Sequence, residues 1–328
     1  MKAFGEKIPH YIKPMLTTAV DQPFSSEEWL FELKLDGYRA VAEIKKGKSL
    51  LYSRNGISLA GRFPSIMAAV KNIKTEAVLD GEIVMLNEEG KPDFQKLQNY
   101  GENDKYPVVY YVFDLLSLMR KDLTELPLQE RKKLLKKMLP KKGLLVYSSH
   151  IETDGKELYK QIKKGDLEGI IAKKKDSRYN PGTRSREWLK IKNHKSQEAI
   201  IIGYTEPKGG RLHFGSLLLA QYKNKKLVYA GHAGTGFPAG TLAELMKKMK
   251  PLATKKPPFA ISAKANGPVT WIKPKLVCEI SYTEITKDGI MRHPVYKGLR
   301  PEKKSKTIKK ETEQPLPVKK IVTRSSKT

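Results

Sequence analysis

Residues 32–39 read ELKLDGYR, and this stretch is the best starting point for predicting the fold. It ends an apolar, strand-like run and contains an Asp-Gly pair, which favours a tight turn. Its lysine, Lys34, could act as a nucleophile only if its surroundings lower the pKa of the amine, because a free lysine is protonated at neutral pH. A plain strand followed by a turn would give the same letters, so the rest of the chain must decide.

The residues after this stretch predict a hairpin. Tyr38, Ala40, Ala42 and Ile44 alternate and would share one face of a strand. A turn is expected at residues 46–48 and a return strand at residues 49–53. Lys34 therefore lies at the entrance of the hairpin.

Further short strands and helices alternate up to about residue 192. Asp154 is a suitable N-cap for the second predicted helix. The mixture predicts an α+β region of antiparallel sheets with helices, residues 1–194. The predicted strands are residues 78–86, 108–115, 144–148, 169–173 and 188–192, and the predicted helices are residues 128–139 and 155–164.

Beyond residue 195 the sequence changes to short strands separated by glycine-rich turns. Five strands with one interposed helix, at residues 241–249, fit a small all-β barrel of the oligonucleotide-binding (OB) type, residues 195–304. The predicted strands are residues 200–204, 216–222, 227–232, 269–273 and 276–286.

The remaining segment, residues 305–328, is basic and contains few large apolar groups, so we expect it to be disordered. It would be either a solvated linker or an electrostatic arm on nucleic acid.

The charge balance favours an anionic polymer as partner. The chain of 328 residues has 63 Lys and Arg against 35 Asp and Glu, a formal net charge of +28. An excess spread over the whole length favours nucleic acid. The single cysteine, Cys278, excludes disulfides within the chain, and no apolar run reaches the length of a membrane span. We expect a cytoplasmic monomer that does not bind membranes.

Five further motifs follow Lys34 in order: SRNG (residues 53–56), LDGEIV (79–84), FDLL (113–116), EGIIAK (168–173) and WLKIK (188–192). Each is weak alone. Together they resemble the motif series of covalent nucleotidyltransferases, and residues 12–304 resemble an ATP-dependent DNA ligase. YNPGTRS (179–185), FGSLLL (214–219), GTGF (234–237) and RHP (292–294) are similar to the ligase module of bacterial ligase D, an enzyme of non-homologous end joining.

The resemblance implies an adenylation domain followed by an OB barrel, and a reaction in three steps. Lys34 attacks the α-phosphate of ATP and expels pyrophosphate, AMP passes to a DNA 5′-phosphate, and the neighbouring 3′-hydroxyl displaces AMP. Nearby cations are expected to depress the pKa of Lys34.

The resemblance also assigns the remaining nucleotide contacts. Glu32 is expected beside the edge of the base and Phe113 stacked on the adenine. Arg39 and Arg54 would hold ribose and phosphate oxygens. Two lysines, two residues apart on a strand and therefore on one face, would both reach the phosphates, namely Lys190 and Lys192.

Two carboxylates, Glu82 and Glu168, are nominated to hold Mg²⁺ or Mn²⁺. Arg300 and Lys303 match the last motif of the family, which orients the departing pyrophosphate. Glu302 stands where the family commonly has Asp. Because these residues belong to the barrel, they engage ATP only when the barrel closes over the first domain.

The implied substrate is double-stranded DNA with nicks or ends, in repair by end joining in a bacterial, nucleoid-associated setting. Ku, an end-binding protein, and a separate polymerase and phosphoesterase are the partners of the related systems. Since no DNA-encircling helical domain precedes Lys34, we expect salt-sensitive binding and weak activity alone. An RNA ligase or an mRNA-capping guanylyltransferase is the alternative, and a non-catalytic nucleic-acid-binding module is the third.

Overall fold

The structure, a computed structural model, describes residues 10–101, 106–207, 209–238, 240–258, 267–311 and 313–316. Its first part contains eleven strands and four helices within those ranges. The strands are β1 (Leu16–Ala19), β2 (Ser26–Leu33), β3 (Tyr38–Ile44), β4 (Leu50–Ser53), β5 (Ala77–Met85), β6 (Val108–Leu118), β7 (Lys121–Asp122), β8 (Leu145–Tyr147), β9 (His150–Thr153), β10 (Gly169–Lys174) and β11 (Arg184–Lys192). The helices are α1 (Pro64–Asn72), α2 (Phe94–Gln98), α3 (Leu128–Met138) and α4 (Gly155–Lys164).

These strands form two sheets. The first sheet has the order β1-β11-β10-β2-β9 and the second has the order β4-β3-β5-β6-β7, with β8 also paired to β6. Most pairs are antiparallel, but β1 with β11 and β6 with β8 are parallel. The expectation of antiparallel sheets is therefore right for most of the ladder, and each sheet also includes one parallel edge strand.

The linker that carries Lys34 joins the two sheets. β2 belongs to the first sheet and β3 to the second, so residues 34–37 cross from one to the other. A Cβ atom on Gly37 would lie 2.2 Å from the Ile83 carbonyl oxygen of β5. The glycine is needed for this close approach of two backbones, and the expected tight turn is replaced by a crossover between sheets.

The predicted hairpin and helices are present. Tyr38, Ala40, Ala42 and Ile44 all pack in the main core of the second sheet, as their alternation predicts. α4 begins after Asp154, whose carboxylate accepts from the Glu157 N–H at 3.2 Å. Its bounds are those predicted, because a capped start and a regular apolar stripe define a helix locally.

The second part of the chain forms the OB-type barrel. Its core is apolar and includes the buried Cys278. The order of the main sheet is β14-β13-β12-β16-β15, β19 also pairs with β16, and a bridge from Thr235 to Val295 connects β19 to the end of β14. The elements are β12 (Ser196–Thr205), β13 (Leu217–Lys223), β14 (Lys226–Ala233), α5 (Thr241–Met249), β15 (Ala253–Thr254), β16 (Val269–Ser281), β17 (Glu284–Ile285), β18 (Met291–Arg292) and β19 (Val295–Leu299).

One strand of the barrel is longer than predicted. Residues 269–273 and 276–286 were expected as separate strands, but β16 is continuous from Val269 to Ser281. Pro274 lies where the pairing register with β12 shifts, between Trp271 and Leu276. A proline is tolerated within a strand at such a bulge, since no ladder hydrogen bond is lost there.

The C-terminal segment also differs from the expectation of disorder. Ser305–Thr307 forms a 3-10 helix and Ile308 is buried, and the described residues continue to Leu316. A few apolar side chains among many lysines are enough to fix it against the folded surface. The boundaries 1–194, 195–304 and 305–328 otherwise stay a prediction, with residues 317–328 outside the described residues.

Among the helices that the structure describes, none has the length and apolar character needed to cross a membrane.

Candidate active site

One cleft of about 460 Å³ lies where the two sheets meet the barrel. All eleven residues nominated from the sequence line it: Glu32, Lys34, Arg39, Arg54, Glu82, Phe113, Glu168, Lys190, Lys192, Arg300 and Lys303. The fold thus brings together groups spread over 272 positions of the chain, from 32 to 303. Their individual roles stay predictions.

Lys34 is held by the first sheet. Its N–H donates to the Gly169 carbonyl at 2.9 Å, and its ammonium forms an ion pair with Glu168. Burial alone would lower the pKa of Lys34, but the carboxylates of Glu168, Asp36 and Glu82 outweigh it and raise the pKa above its ordinary value. The expected depression by neighbouring cations is therefore absent in this state, because the nearest charges are acidic.

Glu82 and Glu168, the nominated metal ligands, face this lysine from opposite sheets. Burial, with Glu168 adding to the effect, raises the pKa of Glu82 to about 7 despite the opposing charges of Arg39, Arg300 and Lys34. The second oxygen of Glu168, Oε2, is buried and has no hydrogen-bond partner among the described residues.

No group of three or more His, Cys, Asp or Glu side chains that could hold a metal occurs in the described ranges. Two carboxylates are still a suitable donor set for Mg²⁺, which usually completes its shell with water and phosphate oxygens. A bound divalent cation would give the Glu168 oxygen a partner and lower the pKa of Glu82, so these residues fit the metal.

Glu32 lies deeper in the cleft, with 2% of its side chain exposed. One carboxylate oxygen accepts from Lys132 at 2.5 Å and the other from Lys173 at 2.8 Å. Lys132 also donates to the carbonyls of Ser148 and Phe113, at 3.1 and 3.5 Å. The residue expected at the base edge is thus fixed by two buried lysines that tie three strands together.

Phe113 lies between cationic groups. The Arg39 guanidinium carbon is 4.6 Å and the Lys173 Nζ 4.1 Å from the centre of its ring. Arg39 itself donates two hydrogen bonds of 2.6 Å to Asp80, which is fully buried and also accepts from Tyr179. With a third bond, from Nη2 to the Met15 carbonyl at 3.3 Å, these contacts fix the direction of Arg39 where it lines the cleft.

Arg54 extends the same cationic wall. Burial lowers its pKa, Glu198 opposes the shift, and the positive charges of Arg39 and Arg184 add to it. Arginine side chains grouped in one cleft are typical of a site that binds an anion.

Lys190 and Lys192 project from β11 into the cleft, as alternation on a strand predicts. Glu311, from the C-terminal segment, lies 2.5 Å from Lys190 Nζ and 3.8 Å from Lys192 Nζ. Lys192 also donates to the Ser196 carbonyl at 2.6 Å. Burial lowers the pKa of Lys190 to about 8, with Lys192 adding to the shift and Glu311 opposing it.

Arg300 and Lys303 reach the cleft from the end of β19. Arg300 lies 3.7 Å from Asp36 in the Lys34 linker and 3.0 Å from Glu302, and Lys303 pairs with Glu198 at 2.7 Å. Asn55 of the first part donates to the Glu302 carbonyl at 2.7 Å. The last motif therefore contacts the Lys34 linker, so the barrel is in its closed position.

Four contributors to the cleft were missed. Lys173 belongs to a quoted motif but was given no role, and Asp80 reads as an ordinary strand acid. Lys132 lies in a lysine-rich helix that resembles a solvated surface, and Glu311 lies in the segment expected to be disordered. Only the first two carry a local signal, because the other two depend on contacts 100 or more residues away along the chain.

Comparison with known proteins gives a consistent result. The family model described as "ATP dependent DNA ligase domain" matches residues 14–192, and "ATP dependent DNA ligase C terminal region" matches residues 210–303. The chain is 39% identical to the multifunctional non-homologous end joining protein LigD of Pseudomonas aeruginosa over 310 residues and 36% identical to that of Mycolicibacterium smegmatis over 301 residues.

These matches cover 92% and 90% of this chain, but only 37% and 39% of the two relatives. Among solved structures, mycobacterial DNA ligase D complexed with ATP and MES superposes with a TM-score of 0.69 at 34% identity. That match covers 90% of this chain and 97% of the solved one.

Proposed function

The chain belongs to the family of ATP-dependent DNA ligases, and from this premise we propose that it seals nicks or breaks in double-stranded DNA during non-homologous end joining. The names of the two bacterial relatives support the pathway. The observation that carries the site assignment is the place of Lys34, whose ammonium lies in a cleft shared with Lys190 and Arg300.

In the first step, Lys34 Nζ attacks the α-phosphorus of ATP. A P–N bond forms, the P–O bond to pyrophosphate breaks, and the amine loses a proton. Glu82 and Glu168 would hold a divalent cation, which neutralises carboxylate charge and stabilises the phosphate oxygens when bound. With those carboxylates neutralised, the burial of Lys34 would lower its pKa and free the amine for attack.

The other residues of the cleft position the nucleotide. Phe113 and Glu32 would hold the base, and Arg39 with Arg54 would hold ribose and phosphate oxygens. Lys190 and Lys192 would bind the phosphates, and the barrel would bring Arg300 and Lys303 to the departing pyrophosphate. The short distance from Arg300 to Asp36 supports this arrangement.

In the second step a DNA 5′-phosphate oxygen attacks the phosphorus of the adenylyl-lysine, and the P–N bond breaks as Lys34 takes back a proton. In the third, the 3′-hydroxyl attacks the DNA phosphate and AMP leaves. The barrel would open between steps to admit the DNA end, since in the closed position Arg300 and Lys303 line the cleft that contains Lys34.

The proposal includes a bacterial cytoplasmic setting near the nucleoid and a monomeric protein. It also includes cooperation with a Ku end-binding protein and with a polymerase and a phosphoesterase. The high positive charge of +28 supports binding to DNA in each of these settings.

The deciding experiment is transfer of label from α-labelled ATP or GTP to the protein in the presence of Mg²⁺. We expect labelling by ATP alone, complete loss in Lys34→Ala, and sealing of a nicked DNA duplex by the native chain. Lys71→Ala removes an exposed lysine of α1 and serves as the matched control, with no expected change.

Labelling by GTP would overturn the assignment in favour of a capping guanylyltransferase. A Lys34→Ala variant that still accepts AMP would show that another residue is the nucleophile. Sealing of a nicked RNA but not of DNA would contradict the proposed substrate.

A further inference from the structure

The chain that follows Arg300 crosses the cleft as a strap. We define the C-terminal strap as residues 305–311 and 313–316, the described part of this segment. Its first anchor is on the barrel. Ile308 is 2% exposed in a cluster with Ile200 and Ile202, and its carbonyl accepts from the Tyr222 N–H at 2.9 Å.

The second anchor is on the first sheet. The Gln314 N–H donates to the Ala19 carbonyl at 2.9 Å, and Arg186 donates to the Pro315 carbonyl at 2.5 Å. Leu316 packs against the apolar cluster of that sheet. The strap is therefore attached to both parts of the molecule whose relative movement the reaction requires.

Between the anchors, the Glu311 side chain points into the cleft. Its carboxylate lies 2.5 Å from Lys190 Nζ and 3.8 Å from both Lys192 Nζ and Arg184 Nη1. Its backbone is fixed by Gln197, which donates to the Glu311 carbonyl at 2.9 Å and accepts from its N–H at 3.1 Å.

A carboxylate held by two ammonium groups and a guanidinium has the charge and the acceptor atoms of a phosphate oxygen pair. The three cations keep the pKa of Glu311 below its usual range, although burial alone would raise it. The anion is therefore present at neutral pH. Lys190 cannot hold this carboxylate at 2.5 Å and a phosphate in the same position at once.

We propose that the C-terminal strap is an internal competitor for the phosphate site, in which Glu311 takes the place of a phosphate group until substrate displaces it. This rests on the proposed function, since it assumes that Lys190 and Lys192 bind phosphate. Displacement removes the ionic contact midway between the anchors.

The phosphate could be that of ATP in the first step or the DNA 5′-phosphate in the second, and two assays separate them. The variant is Glu311→Gln, which keeps the shape and removes the charge. The control is Glu313→Gln, two residues away and exposed. The first assay measures KM for ATP in protein labelling, and the second measures affinity of the adenylated protein for nicks with a 5′-phosphate or a 5′-hydroxyl.

We expect Glu311→Gln to lower KM for ATP by about three- to tenfold with the rate at saturating ATP unchanged, because the competent fraction of free protein rises. If the DNA phosphate is the competitor, the affinity of the adenylated variant rises only for the nick with a 5′-phosphate. Either gain, absent in Glu313→Gln, supports the strap.

An unchanged or raised KM for ATP in Glu311→Gln, together with unchanged nick affinity, would overturn the proposed role of the strap. A wild-type protein that is never labelled would instead refute the proposed function. A second readout needs no catalysis and uses the Lys34→Ala variant. If pyrophosphate displaces Glu311, inorganic pyrophosphate should speed trypsin cleavage after the exposed Lys310. Protection from cleavage by pyrophosphate would contradict displacement.

Discussion

The two parts of the molecule differ in what they bury. Among the described residues, seven charged side chains with little exposure lie in the first part, on its two sheets and on α3, whereas the barrel part buries one, Glu302. The seven are Glu32, Glu43, Asp80, Asp114, Arg131, Lys132 and Lys173.

Buried charges are costly unless they are paired and hydrogen-bonded. Asp114 and Arg131, both with no exposed side-chain area, form a two-pronged pair with bonds of 2.8 and 2.9 Å. The barrel core instead consists of apolar side chains such as Ile201 and Leu219. The first part therefore fixes its polar groups by pairing them, while the barrel has an apolar core and places Arg300 in the cleft.

The largest expected effect comes from breaking the fully buried pair. Arg131→Met should lower the free energy of unfolding by about 3–5 kcal/mol, because it leaves Asp114 charged and unpaired in the core. Urea unfolding followed by fluorescence would measure it. The double variant Arg131→Met with Asp114→Leu should recover most of the loss. Equal destabilisation in the double variant would mean that the pair's charges are not what matters.

The barrel's contribution should be confined to one step. Arg300→Ala should slow protein adenylation by about 10²-fold, the usual effect of removing one donor to developing charge. Sealing of DNA that already carries AMP should change far less, since pyrophosphate is absent from that step. Single-turnover assays of each step give the ratio. Equal losses in both steps would show that Arg300 also acts on the DNA.

Lys132 tests whether the buried network positions the base. In Lys132→Met, Glu32 loses one of its two lysines, and we expect KM for ATP to rise about tenfold, equivalent to about 1.4 kcal/mol. The neighbouring Lys133→Met removes an exposed ammonium from the same helix and should leave KM unchanged. Comparable effects in both variants would point to helix stability or overall charge instead.

The smallest effect concerns pH. Lys190 has a pKa of about 8 and must be protonated to attract phosphate, so kcat/KM for ATP should fall as pH rises through 8. Lys190→Arg stays charged throughout, and the ratio of variant to wild type should therefore rise by severalfold from about pH 7.5 to 9. A ratio that is flat with pH would show that Lys190 keeps its proton in the free protein.

Where the sequence carries a local signal, the fold could be predicted closely. α4 and α5 have the predicted bounds, since a stripe of apolar residues is visible in each and Asp154 caps the first. β16 could not be predicted, because Pro274 reads as a break unless the bulge opposite it is known. The continuity of β16 depends on its pairing with a strand distant in the chain, and a single sequence does not reveal that pairing.

In the site, too, the features with a local sequence signal could be predicted and those set by long-range contacts could not. The eleven nominated residues occur in recognisable motifs, and all line one cleft. The pKa of Lys34 was predicted in the wrong direction, because the motif alone does not show that the carboxylates of Asp36, Glu82 and Glu168 dominate the surroundings of this amine. Lys132 and Glu311 contribute through contacts with residues 100 or more positions away, which neither a lysine-rich helix nor a basic C-terminal segment reveals.

The lone Cys278 gives the protein a built-in reporter. It is the only cysteine in the chain, has no exposed area, and its Sγ donates to the Ala199 carbonyl across β12 and β16. Burial raises the pKa of this thiol well above its ordinary value, so an alkylating reagent meets a protected and protonated sulfur. Alkylation therefore requires local opening of the barrel around β12, β16 and β19. The rate at which Cys278 is alkylated therefore measures local opening of the barrel, in a protein that carries no added dye or tag.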